Sequence, residues 1–274
     1  MIADGIRVSP EWLALREPAD AAARAPDLVK QLGRRLPAHG RRVFHDLGCG
    51  SGAMGRWLGP LLAGPQHWVV HDRDADLLEL AAADLPGPAA DGAAITVEAR
   101  QSDITALHPG DLAGAALITA SALLDLLTAD ELAGLVTICA GARCPILLTL
   151  SVVGRVDLTP ADPLDSRVAA AFDAHQRRAT EAGRLLGPEA VAFAVEEFRR
   201  LGAEVLIRPS PWRLGAARAG LAAEWFAGWV GAAREQQADL AAETDAYARR
   251  RLAEAAAGRL AVTVDHADLL VLPR

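Results

Sequence analysis

The chain has 274 residues, 51% of them hydrophobic, and carries a net charge of −7. That is ample apolar material for a buried core, and one large domain over residues 1–274 is the expectation. Residues 1–150 hold 12 basic and 18 acidic side chains and residues 151–274 hold 16 and 17, so neither half has the basic surplus that neutralising many phosphates would require, and DNA or RNA is not the expected substrate.

At the N-terminus, MIADGIRVSPEW has neither a basic leader nor an apolar stretch of the signal-peptide kind. The longest apolar runs, residues 113–124 and 145–153, fall short of the ~20 residues of a membrane span. Cys49, Cys139 and Cys144 show no disulfide or metal-ligand spacing, so a cytoplasmic protein without a metal is expected. SPEWLALREPADAAARAPDLVKQL predicts one or two helices ahead of the first strand, within a cover segment of residues 1–40. RRVFHDL then reads as a first strand, GAMGRWLGPLL as a helix, and HWVVHD as a second strand ending at Asp72. RDADLLELAAADL is a helix capped by Asp74 that stops before Pro86, and AITVEAR is a third strand. AALITAS is a fourth, TADELAGLVTICA a helix opened by Thr128 with Glu131 three residues on, and PILLTLSV a fifth strand. Strands joined by crossover helices predict an α/β fold with a parallel sheet over residues 41–150.

Beyond residue 153 the pattern loosens. RVDLTPADPLDS reads as a loop and RVAAAFDAHQRRATEAG as a helix, together an insertion at about residues 154–186. GPEAVAFAVEEFRRLG is a helix with Pro188 near its first turn and Gly202 at its end, followed by the short strand AEVLIRPSPW. Residues 211–257 form a second insertion, helical throughout from 216, and RLAVTVDHADLLVLP holds one or two strands.

The stretch FHDLGCGSGAMGRWL places three glycines at alternate positions behind a strand that ends in an acid. Glycines there let backbone approach a ligand, and the helix beginning near Ser51 presents its free N–H groups. Gly48, Gly50 and Ala53 fit the dinucleotide pattern G-x-G-x-x-G/A, with Asp72 about twenty residues on for a ribose diol. Asp46, two positions before Gly48, opposes a diphosphate and suits a ligand with an ammonium group. VFHDLGCGSG closely resembles the first motif of the class I S-adenosylmethionine-dependent methyltransferases, hydrophobic strand then D/E-x-G-x-G-x-G, present here as Asp46, Gly48, Gly50 and Gly52.

The resemblance covers residues 41–150. It implies a Rossmann-like three-layer sandwich with a seven-stranded, mostly parallel sheet, its last strand antiparallel, and helical insertions over the acceptor site. The implied cofactor is S-adenosyl-L-methionine. Asp46, Gly48, Gly50 and Gly52 would hold its methionine part, with Cys49 contributing backbone only. Asp72, with Arg73 beside it, would hold the ribose, and Asp103 and Ile104 the adenine. Ser121 and Leu123 would stand near the sulfonium, and Trp12, Arg16 and Arg24 would either lie on helices closing over the cofactor or merely cover the first helix.

Acceptor residues carry two readings each. His175 is a possible base on the first insertion or else a surface histidine, while His45 and His266 read as structural residues at sheet ends. Trp225 and Trp229, four apart on one helical face, with Trp212 and Phe226, are core or an aromatic acceptor pocket in which Arg213 pairs with an acceptor carboxylate. Arg249, Arg250 and Arg251 point in different directions on a helix and read as solvated. The expectation is a bacterial small-molecule methyltransferase. An RNA methyltransferase is the same-chemistry alternative, though no N-P-P-Y-like tetrapeptide stands after the fourth strand. A nicotinamide-dependent oxidoreductase and a non-catalytic cofactor-binding protein are the others.

Overall fold

The computed structural model describes residues 8–84 and 87–273. Ser9 opens helix α1 (Pro10–Ala23), its hydroxyl accepting the Trp12 amide at 3.1 Å, with Pro10 at the first helical position, where a missing N–H costs nothing. Helix α2 (Pro26–Gly33) comes next, and residues 1–7 of the expected cover lie outside the described residues. Strand β1 (Arg42–Leu47), helix α3 (Ala53–Leu58), strand β2 (Gln66–Asp72), helix α4 (Ala75–Ala83) and strands β3 (Ile95–Gln101) and β4 (Leu117–Ser121) fall where the sequence predicts them. The Asp74 carboxylate accepts the Asp76 and Leu77 amides and so caps α4, while Pro86, expected just past its end, lies outside the described residues. Helix α5 (Ala129–Gly141) starts on a reciprocal cap: the Glu131 amide donates to Thr128 Oγ1 and the Thr128 amide to the Glu131 carboxylate.

The second half departs from the sequence reading in three places. Strand β5 (Ile146–Thr159) runs through most of the segment expected to be loop, because Val152, Gly154, Val156 and Leu158 turn inward while Val153, Arg155, Asp157 and Thr159 face solvent, a period of two masked in the sequence by prolines and aspartates. After helix α6 (Asp165–Gln176), residues expected to stay helical form a small hairpin of β6 (Ala179–Thr180) and β7 (Gly183–Arg184), turned by Gly183 at φ +125°. Arg251 is buried, not solvated: its guanidinium is 1% exposed and binds both Asp165 oxygens at 2.7 and 2.8 Å and the Pro160 carbonyl at 2.7 Å. The remaining elements are helix α7 (Ala190–Arg200), strands β8 (Glu204–Pro209) and β9 (Trp212–Leu214), helices α8 (Ala219–Gln236) and α9 (Leu240–Ala256), and a single last strand, β10 (Ala261–Leu272).

The sheet runs β3-β2-β1-β4-β5-β10-β8, with β10 antiparallel to both neighbours and β9 paired to the first half of β10 as an eighth strand. Alternation along the strands feeds two layers. Phe44, Trp68 and Leu270 pack with Leu28, Met54, Leu58 and Leu78 from α2, α3 and α4; Leu47, Ile118 and Leu148 pack with Leu135, Val136 and Phe198 from α5 and α7. A third cluster, built on Trp212, Phe226, Trp229 and Tyr247, joins α6, α8 and α9 to the far ends of β5 and β10. Among the described residues no helix is long and apolar enough to cross a membrane.

Candidate functional site

A cavity of about 870 Å³ opens at the carboxyl ends of β1 to β4 and continues along β5 and β10, under α1. This is the crevice in which open α/β sheets hold ligands. The turn after β1 forms its floor. Gly48 adopts φ +65°, and a Cβ there would stand 3.1 Å from the Leu123 side chain, so both the conformation and the space call for glycine. The turn is fixed from β2: the Gly50 amide donates to Asp72 Oδ2 at 2.8 Å and the Asp74 amide to Asp72 Oδ1 at 3.0 Å. Each carboxylate oxygen keeps a second lone pair for a ligand.

Asp46 is 1% exposed. Thr119 Oγ1, directly across the β1–β4 pairing, donates to its Oδ1 at 2.6 Å, and its Oδ2 has no partner among the described residues. Burial pushes its carboxyl up to about 7, opposed by the Thr119 hydrogen bond and the Arg24 charge. Arg24, at the end of α1, is 3% exposed and lines the same cavity. Its Nη2 donates to Ser121 Oγ at 3.1 Å and its guanidinium stands 4.9 Å from the Trp57 ring centroid, but Nε and Nη1 are buried without partners among the described residues. Burial lowers its hold on its proton, opposed by Asp20, Asp268 and Asp46. Two residues that line one cavity thus carry a buried donor set and a buried acceptor left unsatisfied among the described residues, an arrangement that costs about 1–3 kcal/mol per group or more for charged ones.

The other end of the cavity is aromatic. Trp12, Phe172, Trp212 and Trp225 line it with Leu126, Val152 and Val264. Asp20 accepts from Arg16 Nε at 3.0 Å and from Trp212 Nε1 at 2.9 Å, and the Arg16 guanidinium lies 4.9 Å from the centre of the Trp212 ring. Two bulges shape this end from β10, one between Val264 and His266 and one between Ala267 and Leu269. At the second, the Asp268 carboxylate accepts the Ala25 and Leu150 amides at 2.8 and 2.9 Å, tying the end of α1 to the sheet.

The structure brings most of the sequence-predicted residues together. Asp46, Gly48, Cys49, Gly50, Asp72, Arg73, Asp103, Ile104, Ser121, Trp212 and Trp225 all line the cavity. Burial pushes the Cys49 thiol up and so disfavours its thiolate. Five residues lie off it. Gly52 is the left-handed N-cap of α3, and a Cβ there would meet the Ala81 backbone at 3.2 Å, so its task is helix packing. Arg213 is exposed on the outer side of β9, because alternation along that strand sends only Trp212 and Leu214 inward. His175 sits on α6 against Glu235 of α8, at 3.2 Å, outside the cavity lining. Phe226 and Trp229 are buried beneath the lining. His266, read from sequence as structural, lines the cavity instead. Asp20, Thr119, Asp125 and Phe172 escape sequence reasoning. Asp20 had a sequence signal, its i+4 spacing from Arg16 on a helix; Thr119 had none, since only strand register sets it against Asp46.

No protein-family model and no curated protein matches the chain. Among solved structures it is similar to the cyclopropane synthase MmaA2 from Mycobacterium tuberculosis, with TM-score 0.51, 13% identity, and 96% of this chain and 94% of that one covered. It is also similar to the YcgJ protein from Bacillus subtilis, with TM-score 0.50, 10% identity, and coverage of 91% and 100%. A further match is a SAM-dependent methyltransferase from Geobacter sulfurreducens in complex with S-adenosyl-L-homocysteine, with TM-score 0.47, 15% identity, and coverage of 97% and 99%. With its reversed strand β10 inserted between β5 and β8 of an otherwise parallel sheet, the chain has the Rossmann-like fold of the class I S-adenosylmethionine-dependent methyltransferases.

Proposed function

We propose that the chain is an S-adenosyl-L-methionine-dependent methyltransferase acting on a small-molecule acceptor. The observation that carries this reading is that Asp46 and Arg24, whose buried Oδ2 and whose buried Nε and Nη1 have no partner among the described residues, both line one cavity beside a glycine turn. An α-amino acid tail presents an ammonium and a carboxylate, the two groups that would complete them. A diphosphate would satisfy Arg24 but would lie against Asp46, which argues against a nicotinamide dinucleotide.

When bound, S-adenosyl-L-methionine supplies a methyl group on a sulfonium, an already activated leaving arrangement. The residues of this chain then bind and align. Asp46 would receive the ammonium and Arg24 the carboxylate, Asp72 with Arg73 alongside would face the ribose hydroxyls, and Asp103 and Ile104 the adenine. Ser121, which accepts from Arg24, would lie toward the reacting end. Trp12 and Leu13 of α1 cover the cavity and exclude water. Orientation of this kind supplies effective molarities of ~10⁵–10⁸ M in well-aligned systems. In this layout residues 8–40 are the cover, residues 41–150 hold the donor, and the helical insertions shape the acceptor end.

Equilibrium dialysis of the purified chain against labelled S-adenosyl-L-methionine and, separately, NADH tests the reading. Retention of the sulfonium donor alone is the expected result, and retention of the nicotinamide alone overturns it.

A further inference from the structure

The donor reading leaves the aromatic end of the cavity and one histidine without a task. His266 is 5% exposed, its Nδ1 is buried without a partner among the described residues, and its ring lies 5.4 Å from that of Trp212. Trp12 meets Trp212 edge-on at 6.4 Å, and Trp225 and Phe172 complete the aromatic lining. Walls of this composition suit a flat, apolar ring, which gains from edge and stacking contacts beyond its buried area.

Charge decides the rest. A cationic acceptor would seek the face of Trp212 and the carboxylate of Asp20, but Arg16 already occupies both, standing 4.9 Å from the ring and donating to Asp20 at 3.0 Å. Asp125, on the same lining, is pushed toward its protonated form by burial. An uncharged ring is therefore what this end accommodates. A neutral nucleophile that keeps its proton after gaining a methyl group would become a buried cation, so a hydroxyl needs a group to take the proton. Burial, reinforced by Arg16, lowers His266 to about 4, which leaves it neutral and a weaker base than a free imidazole, so it takes the proton only as the new oxygen–carbon bond forms and the hydroxyl turns acidic.

We propose, on the basis of the methyl-transfer reading, that the acceptor is a planar aromatic hydroxyl compound bound among Trp12, Phe172, Trp212 and Trp225, and that His266 takes its hydroxyl proton. The acceptor oxygen forms the new bond to the methyl carbon, the electron pair of the carbon–sulfur bond stays with sulfur, and the O–H proton passes to the imidazole, which later releases it to water.

The probe is 2-naphthol, compared with 2-methylnaphthalene and with decahydro-2-naphthol, each titrated into the full chain preloaded with S-adenosylhomocysteine and followed by tryptophan fluorescence. The expected result is 2-naphthol binding at least tenfold tighter than its saturated counterpart. In H266F and H266Q, both first checked for unchanged S-adenosylhomocysteine affinity by calorimetry, 2-naphthol loses about tenfold in H266F, while 2-methylnaphthalene does not change. With labelled donor, methyl transfer to 2-naphthol falls at least 100-fold in both variants, the range of a lost general base. Equal binding of flat and saturated probes, no binding of 2-naphthol to the wild-type chain, or transfer that survives in H266Q each overturns the proposal. Transfer retained in H266Q but lost in D125N assigns the proton to Asp125 instead. If the wild-type chain fails to bind S-adenosylhomocysteine at all, it is the donor reading that falls, and the comparison of flat and saturated probes on the unloaded chain still decides the aromatic site.

Discussion

Replacing Asp46 by asparagine keeps the shape of the side chain and removes its charge. In the folded chain this carboxyl is raised from its ordinary value of 3.8 to about 7, chiefly by burial. A group whose folded pKa lies above its unfolded one costs nothing below the unfolded value, and its cost grows as pH rises toward the folded value. Between pH 4 and 7 the ionisable Asp46 therefore removes about 4 kcal/mol of stability, at 1.36 kcal/mol for each pH unit, and the full cost applies at pH 8. Asparagine is the neutral isostere, Thr119 can still donate to its oxygen, and so D46N without ligand is expected to be more stable than the wild type at pH 8 and close to it at pH 4. Donor binding moves the other way. Loss of a charge-assisted hydrogen bond of about 1.5–3 kcal/mol weakens S-adenosyl-L-methionine roughly 10- to 150-fold. Methylthioadenosine, which lacks the amino acid tail, keeps its affinity. Wild-type affinity for the donor rises from pH 6 to 8 as the carboxylate charges, and D46N shows no such rise. Urea unfolding at the two pH values and calorimetry with the two nucleosides check this. A D46N chain that is less stable at pH 8, or that loses affinity for both nucleosides alike, would refute the role given to the buried charge.

Arg24→Met should cost tenfold or more in donor affinity and again spare methylthioadenosine, measured by calorimetry; equal losses for both ligands would place Arg24 away from the carboxylate. Arg251→Met breaks the pair with Asp165 and leaves that carboxylate only 18% exposed, so about 3 kcal/mol of stability is lost in urea unfolding, whereas a loss below about 1 kcal/mol would show the pair to be weak. His175→Ala, outside the cavity lining and set against an exposed Glu235, should leave donor affinity and methyl transfer unchanged, and a large drop in transfer would restore it as a base.

The donor half of the fold was legible because its signals are local. A strand ending in Asp46, a turn with Gly48 in the left-handed region, the Asp74 cap and the Thr128–Glu131 cap each depend on residues within a few positions of one another. The second half was harder to read because opposing local signals coexist. Residues 155–159 carry the alternation of a strand and the composition of a loop, and pairing with Ala261–Val264 settled the matter in favour of the strand. His175 and His266 show the same limit at the level of a site. Both look unremarkable in sequence, one on an apparent insertion helix and one near a strand end, and only packing put the first beside Glu235 and the second on the cavity.

The sequence by itself determined the alternation of strands and helices, the glycine turn, and the row of acids at the strand ends, since periodicity, backbone freedom and capping act over a handful of residues. Only the tertiary structure decided which polar atoms are left unsatisfied. Among the described residues Asp46 lacks a partner for one oxygen and Arg24 for two nitrogens because a helix end, the paired strands β1 and β4 and the bulged β10 meet around them, and desolvation is a property of that assembly, not of any segment.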